Sequence, residues 1–316
     1  MKIHYSFIKI LSGFDLSIRR LPLMHIKSPE PGPVVWLTSC MHGDEIGGVA
    51  VVQEIFKKVK KIGLQKGELY AFPLMNPLGF ETASRNVTIS KEDLNRSFIG
   101  SNEGSLAERI AYNIFKTIIQ TEPTLVLDLH NDWRESVPYT LIDPAPKTTG
   151  KPIYEKTKQF AQLAGFPIIM EPDYIEKSLS HNLLANNIPA LTLEMGESFR
   201  INEDDVENGV RSVENLLAHL DMIDPAAEFF RYPAPKEIAD RFLIYLQQPA
   251  GHSGVIRFLV QPGQIVKKNQ PVARVFNVFG KQLEVIKAEE HAFVLGYSDS
   301  SVSFPGLPII AFGRID

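Results

Sequence analysis

Residues 39–48, SCMHGDEIGG, place a histidine, two acidic side chains and three glycines directly after an apolar run, PVVWLT. A plain turn needs only a glycine or an Asn/Asp. It does not need His42 and Glu45 three positions apart. Zinc takes imidazole nitrogen and carboxylate oxygen as ligands, and a catalytic zinc keeps three protein ligands and a water. His130, at the end of TLVLDLH, offers the third donor. His42, Glu45 and His130 therefore make a His₂Glu set, two donors from one turn and one from a distant strand end. His42 alone would read as a surface-turn histidine. The glycines at 43, 47 and 48 would let the backbone turn sharply before a helix.

A zinc lowers the pKa of water bound to it to roughly 7, and a nearby carboxylate can take the proton. Glu194, in LTLEMGES, ends an otherwise apolar strand, where an unpaired buried charge would be costly. It is the candidate base, with Glu197 in the next turn the weaker one. Asp128 shares a strand face with His130, so it either orients that ligand or caps a neighbouring helix. Arg85, Asn95 and Arg96 lie in a long polar stretch from 76 to 104. Arginine binds carboxylates bidentately and stays charged, so these three would anchor a substrate carboxylate. Loops of that length inside a domain are usually functional or disordered.

The elements that must position these residues alternate. Strand candidates fall at 34–39, 69–75, 124–130, 167–170 and 190–195, and helix candidates at 47–61, 105–120, 152–164, 178–187 and 203–221. Apolar strands separated by helices indicate a largely parallel sheet covered on both faces. Sites in such sheets gather at the carboxyl ends of the strands, where His42, Glu45, His130 and Glu194 all fall. After DP, YP and AP steps in 222–240, period-2 alternation and turn signals take over. The expected division is 1–225, a zinc-dependent catalytic domain, and 226–316, a small all-β domain.

HGDE, the NP-loop with its arginine, DLNR, DLH and LTLEMG occur in this order in the succinylglutamate desuccinylase/aspartoacylase family of zinc carboxypeptidase-like hydrolases. The chain resembles that family over about residues 34–200. The resemblance implies an α/β fold, an αβα sandwich of the zinc-exopeptidase type with a mixed, mostly parallel sheet, followed by a β-rich domain. It also implies zinc ligands His42, Glu45 and His130 with one Zn²⁺ per chain, Glu194 as general base, and carboxylate binding by Arg85, Asn95 and Arg96. The family's additional substrate-binding arginine has only Arg134 as an unsupported counterpart in 131–180. Tyr297 is available for the family's C-terminal tyrosine, and His181 stands near a helix start. GVIRFLVQPGQIVKKNQPVARVF resembles half of a lipoyl/biotinyl-type sandwich. Lys281 and Lys287 fall near where a carrier lysine would lie, but neither sits in a modification motif. A structural or pocket-covering role is expected instead.

Of 316 residues, 44% are hydrophobic and 22% charged, which describes a globular protein with a sizeable core. The formal net charge of −4 leaves no basic footprint for nucleic acid or a membrane surface. The single cysteine, Cys40, excludes an internal disulfide and suits a reducing, cytoplasmic setting. The first twenty residues are too broken for a signal peptide or a transmembrane helix. A homo-oligomer stays open. The expected activity is hydrolysis of the amide of a small, carboxylate-bearing N-acyl amino acid. The alternatives are a zinc carboxypeptidase acting on peptides and a catalytically silent binding protein. Retention of ligands, base and carboxylate anchors together argues against silence.

Overall fold

The computed structural model describes residues 1–13 and 16–315. The central strands are short, apolar and buried because both sheet faces are covered. In chain order the first nine strands are β1 (His4–Ser12), β2 (Ile18–Lys27), β3 (Val34–Ser39), β4 (Glu68–Phe72), β5 (Leu125–His130), β6 (Glu135–Ser136), β7 (Tyr139–Ile142), β8 (Ile168–Met170) and β9 (Ala190–Glu194), of which β3, β5 and β9 form the buried centre. The helices are α1 (Gly47–Ile62), α2 (Pro77–Glu81), α3 (Leu106–Ile119), α4 (Lys151–Ala164), α5 (Leu179–Ala185) and α6 (Glu203–His219). Period-2 alternation sends Val35 and Leu37 into one core with α1, α4 and α6, and Trp36 into another with α3 and α5. The result is the expected αβα sandwich. A capping box, in which Ser105 and Glu108 satisfy each other's backbone N–H groups, starts α3.

Eight strands follow: β10 (Phe242–Pro249), β11 (Gly254–Phe258), β12 (Ile265–Val266), β13 (Pro271–Phe276), β14 (Gln282–Lys287), β15 (Ala292–Tyr297), β16 (Val302–Ser303) and β17 (Pro308–Arg314). One sheet runs β1-β2-β4-β3-β5-β9-β7-β8-β10-β17-β15-β12, with β6 on β15, and a second runs β14-β13-β11-β16. β3, β4, β5 and β9 pair in parallel, β7 reverses against β9, and β8 and β10 resume parallel pairing beside it. The sheet is thus mixed and mostly parallel at its centre. The C-terminal strands form an antiparallel β region with its own apolar cluster, yet β10 hydrogen-bonds directly to β8. That shared edge fixes β10 beside the strand ends that carry the site. Lys281 follows the β13–β14 turn and Lys287 ends β14.

Several elements exceed the sequence expectation, among them the short α2 and β6. The N-terminal segment forms the β1–β2 hairpin, which extends the sheet through antiparallel pairing of β2 with β4. Tyr5 and Phe7 on it are exposed, so the amphipathic signal of a buried strand is missing there. β7 is four residues long and lies between 124–130 and 167–170, where no strand was expected.

The turn after β3 is tight for a different reason than the one expected. Its positive backbone angle is at Cys40, φ 52°, and none of Gly43, Gly47 and Gly48 adopts one. Those glycines are required by space instead. A Cβ on Gly43 would stand 1.9 Å from the carbonyl carbon of Gly79, and one on Gly47 would stand 2.9 Å from the Asn131 amide. Gly43→Ala should therefore cost roughly 1–3 kcal/mol of stability, the scale of overpacking. Gly150→Ala, where a Cβ meets nothing nearer than 3.4 Å, should cost far less. Equal midpoints for the two variants in urea denaturation would refute this.

Candidate metal centre and hydrolytic site

His42 and Glu45 leave the turn between β3 and α1, and His130 closes β5, the neighbouring parallel strand. The structure brings the three together. Donor atoms of His42, Glu45 and His130 lie within 4.8 Å of one another, and all three side chains are buried. Nδ1 of His42 is 2.6 Å from Glu45 Oε1, and Nδ1 of His130 is 2.7 Å from Glu45 Oε2. Each histidine turns its other nitrogen to a further carboxylate. His42 Nε2 is 3.1 Å from Asp93, and His130 Nε2 is 2.9 Å from Asp128. A proton held at Nε2 by a carboxylate leaves the Nδ1 lone pair free for a cation, the outer-sphere arrangement of ligand histidines. The donor set thus fits a divalent metal.

Asp128 meets His130, the first of its two expected roles, and it is itself fixed by a hydrogen bond of 2.7 Å from the Thr38 hydroxyl. Asp93 is the residue that the sequence reading missed. Its place in DLNR, directly before the expected anchors, was the available signal. It also receives the guanidinium of Arg85, at 3.1 Å from Nη2, and the backbone N–H of Asn95. Asn131 adds two contacts, donating its N–H to Glu45 and accepting one from Gly47 at the start of α1.

Charge sets the protonation here. Burial works against an ionised Glu45, but His42 and His130 override it and hold the carboxyl well below the usual range. Burial likewise disfavours a charged His130, and Asp128 and Glu45 reverse that, raising it well above the ordinary histidine value. Asp93 is also held far down, since His42, Arg85 and Arg96 outweigh its burial. The Cys40 thiol is pushed up to about 12, chiefly by burial, and is unreactive.

These residues open into a cavity of about 540 Å³. Glu194 lines it, level with His130 in the β5–β9 register. Its Oε2 is buried without a hydrogen bond among the described residues. Burial, then Asp132 and Glu45, push its carboxyl well above the ordinary value against the pull of His130 and Arg85. Arg85, Asn95 and Arg96 line the same cavity, but they are not equivalent. Arg85 is held beside the donor set, 3.4 Å from Glu45. Asn95 accepts a hydrogen bond from Leu179, and Arg96 donates to the Asn95 carbonyl.

The other sequence candidates fall elsewhere. Arg134 packs its guanidinium 4.3 Å from the Phe199 ring centre, and Tyr297 stacks on Phe258. His181 meets the edge of Tyr174. Glu197 faces Asp205, whose carboxyl is pushed up to about 6 by burial and then by Glu197. None of these four lines the cavity. Tyr245 and Gln247 of β10 do, joined by a hydrogen bond of 2.7 Å. The C-terminal region therefore supplies a cavity tyrosine, though not the one the sequence suggested, because pairing with β8 was invisible in the local pattern.

Removing one of the three donors should abolish tight metal binding. His130→Ala, dialysed and analysed for zinc, should hold little metal, and full occupancy would refute the ligand set. Asp93→Asn should keep the fold and weaken metal affinity by roughly 10–100-fold, the effect of losing an outer-sphere carboxylate. An unchanged affinity in a chelator competition would leave Asp93 as a mere loop anchor.

The comparisons with known proteins agree with this geometry. A family model of the succinylglutamate desuccinylase/aspartoacylase catalytic domain matches residues 31–220. The chain is 25% identical over 291 residues to N-alpha-acetyl-L-2,4-diaminobutyric acid deacetylase of Halomonas elongata, which covers 87% of this chain and 80% of that protein. Among solved structures it superposes on the product-bound ectoine utilization protein EutE (DoeB) of Ruegeria pomeroyi with a TM-score of 0.85. The identity there is 19%, over 99% of this chain and 95% of the other. A succinylglutamate desuccinylase from Silicibacter gives a TM-score of 0.84 at 17% identity, over 99% and 95% of the two chains. A metallo-carboxypeptidase of Burkholderia cenocepacia gives 0.57 at 18% identity over 69% and 65%. At such identities the structures show a shared fold. With more than half of its length matched by the family model, the chain belongs to the succinylglutamate desuccinylase/aspartoacylase family.

Proposed function

We propose that this chain is a zinc-dependent amidohydrolase that removes the acyl group from a small N-acyl amino acid. The observation that carries this reading is the His42–Glu45–His130 donor set opening into the cavity that Glu194, Arg85, Asn95 and Arg96 also line. The relatives support it, one being by name a deacetylase of an acetylated diamino acid. Among the described residues no helix is long and apolar enough to cross a membrane.

A zinc held by His42, Glu45 and His130 would supply Lewis acidity toward the amide oxygen and lower the pKa of the attacking water. Glu194 then does the proton work. Its unpaired Oε2 takes the proton as the water oxygen bonds to the acyl carbon. It returns that proton to the amide nitrogen as the C–N bond breaks, leaving a carboxylate and a free amine. Burial without a hydrogen bond at Oε2 raises its affinity for protons, which favours a group that takes one up from water and passes it on. Arg85, fixed by Asp93 and Glu45 beside the donor set, would stabilise the negative charge that grows on the amide oxygen. Fixed charge of this kind needs no rearrangement during reaction.

Asn95 and Arg96 hold the substrate carboxylate at a set distance from the scissile bond, converting binding into orientation. Tyr245 and Gln247 from β10 also line the cavity, so the C-terminal region helps to bound it, which supports small substrates over extended peptides.

Two measurements test the reading. Glu194→Gln keeps shape and removes basicity, so it should retain zinc and lose at least about two orders of magnitude in kcat. Near-normal turnover would displace Glu194 from its role. The wild-type enzyme, given N-acyl amino acids and their carboxamides with and without zinc, should hydrolyse the free acids and largely ignore the amides. Arg96→Ala should lower kcat/KM for the acid much more than for the amide. Equal turnover of acid and amide by the wild type would refute the carboxylate anchor.

A further inference from the structure

The four-stranded sheet of the C-terminal region has an outer face that the cavity does not use. Period-2 alternation sends Ile256, Val275 and Ile286 into the apolar cluster of that region and the alternate residues outward. Val302, Val255 and Phe276 are register partners across β16, β11 and β13, so they form one row on the outer face. Two residues further along the strands, Arg257, Arg274 and Val285 form the next row, about 7 Å behind the first. In the other direction lies the turn from β13 to β14, where Val278 and Phe279 are 86% and 92% exposed. Lys281, also exposed, leaves that turn.

Neither the turn nor the arginine row is explained by the fold itself. Asn277 alone fixes the turn: its side chain accepts the backbone N–H groups of Phe279 and Lys281, and its carbonyl accepts that of Gly280. Turn tips ordinarily carry small polar residues, so the Val278–Phe279 pair is a built apolar projection that the turn does not need. Like charges directly opposite each other in a sheet are destabilising, yet Arg257 faces Arg274. Glu284 is the one carboxylate on these four strands. It is the register partner of inward-facing Val275, and it accepts the Gly251 N–H and meets His252. Asp299, in the connection to β16, is bound by the Arg134 N–H. Arg257 leans instead on the Phe276 ring, 5.8 Å from its centre.

We propose that this end of the sheet docks on an anionic lipid leaflet. Apolar faces of interfacial proteins sink about 5–10 Å, to the boundary of headgroups and acyl chains. That depth takes up the Val278–Phe279 tip and the Val302–Val255–Phe276 row, and it leaves Arg257 and Arg274 level with the phosphates. Apolar and basic side chains are thus graded along one direction, as a leaflet is graded from tails to charge. Exposed apolar patches of this kind mark protein or membrane contacts, and charge decides between them here. A second copy placed face to face would set the arginine row against itself, and like charges across an interface exclude that partner. Net charge describes the whole chain and not this face. Docking is at the surface, since among the described residues no helix is long and apolar enough to cross a membrane.

The test sediments the full chain with vesicles of phosphatidylcholine, with and without phosphatidylglycerol, at low and high salt. The chain should go down with the anionic vesicles at low salt, be released by high salt, and stay in solution with phosphatidylcholine alone. Arg257→Gln with Arg274→Gln should weaken binding by about 25-fold, near fivefold for each basic residue. Phe279→Ala should weaken it by about tenfold through lost apolar burial. These side chains lie outside the cavity, so both variants should keep the metal content of the wild type. Phe279→Trp should add emission that shifts to the blue with anionic vesicles only. Absence of sedimentation with every vesicle, equal binding to neutral and anionic ones, or binding that both variants retain would overturn the proposal. A dimer in analytical ultracentrifugation that Phe279→Ala dissolves, with no vesicle binding, would overturn it in favour of a contact between copies.

Discussion

The rest of the site depends on one buried carboxylate. Glu45 lies between the imidazoles of His42 and His130, with Arg85 and the Asn131 N–H as further partners. A charge in that position persists only if every neighbour is answered in turn. The chain of contacts runs from Arg85 through Asp93, His42, Glu45, His130 and Asp128 to the Thr38 hydroxyl, with an acidic group between each pair of basic ones. Taking one partner out of such a network leaves a buried polar group unanswered, at about 3–5 kcal/mol where that group is charged. The same donors would hold a divalent cation once the facing imidazole nitrogens are free of protons, since metal binding and ligand deprotonation are linked. Stability and chemistry here share the same atoms.

The sheet makes that arrangement affordable to build. Parallel β3, β5 and β9 end at one level, so His130 and Glu194 stand in register and the turn after β3 delivers His42 and Glu45 beside them. Close approach at Gly43 and Gly47 allows the turn to lie against the α2 loop and Asn131. Beyond the reversal at β7, the ends of β7 and β8 bring Asp143 and Glu171 to the same cavity. The cavity is thus lined from several strand ends of one sheet.

The C-terminal β region is part of this design rather than an appendage. β10 is bonded to β8 on one side and β17 on the other, and it carries Tyr245 and Gln247 into the cavity. β6, a two-residue strand from the segment after His130, pairs with β15 and fastens that segment to the same region. A cavity closed by two parts of the chain is restricted in volume, and that restriction accords with a small substrate. Lys287 ends a strand of the separate four-stranded sheet and Lys281 directly precedes that strand, and neither lines the cavity.

Local spacing determined much of this protein. A histidine and a glutamate three apart after an apolar strand, a histidine two beyond an aspartate, and a glutamate closing another strand are each short patterns whose chemistry needs no partner to be recognised. Alternation of apolar runs with amphipathic segments likewise carried the largely parallel sheet covered on both faces, since burial on both faces leaves its mark on the central strands. Tertiary structure alone decided the rest. Asp93 became the partner of His42, Arg85 was drawn to Glu45, and Asp143 met Glu171 because strands distant in sequence pair edge to edge. The N-terminal hairpin escaped notice because an edge element with exposed Tyr5 and Phe7 carries no burial pattern. Tyr245, not Tyr297, reached the cavity because β10 pairs with β8, and a pairing partner is a property of the whole sheet that no single segment encodes.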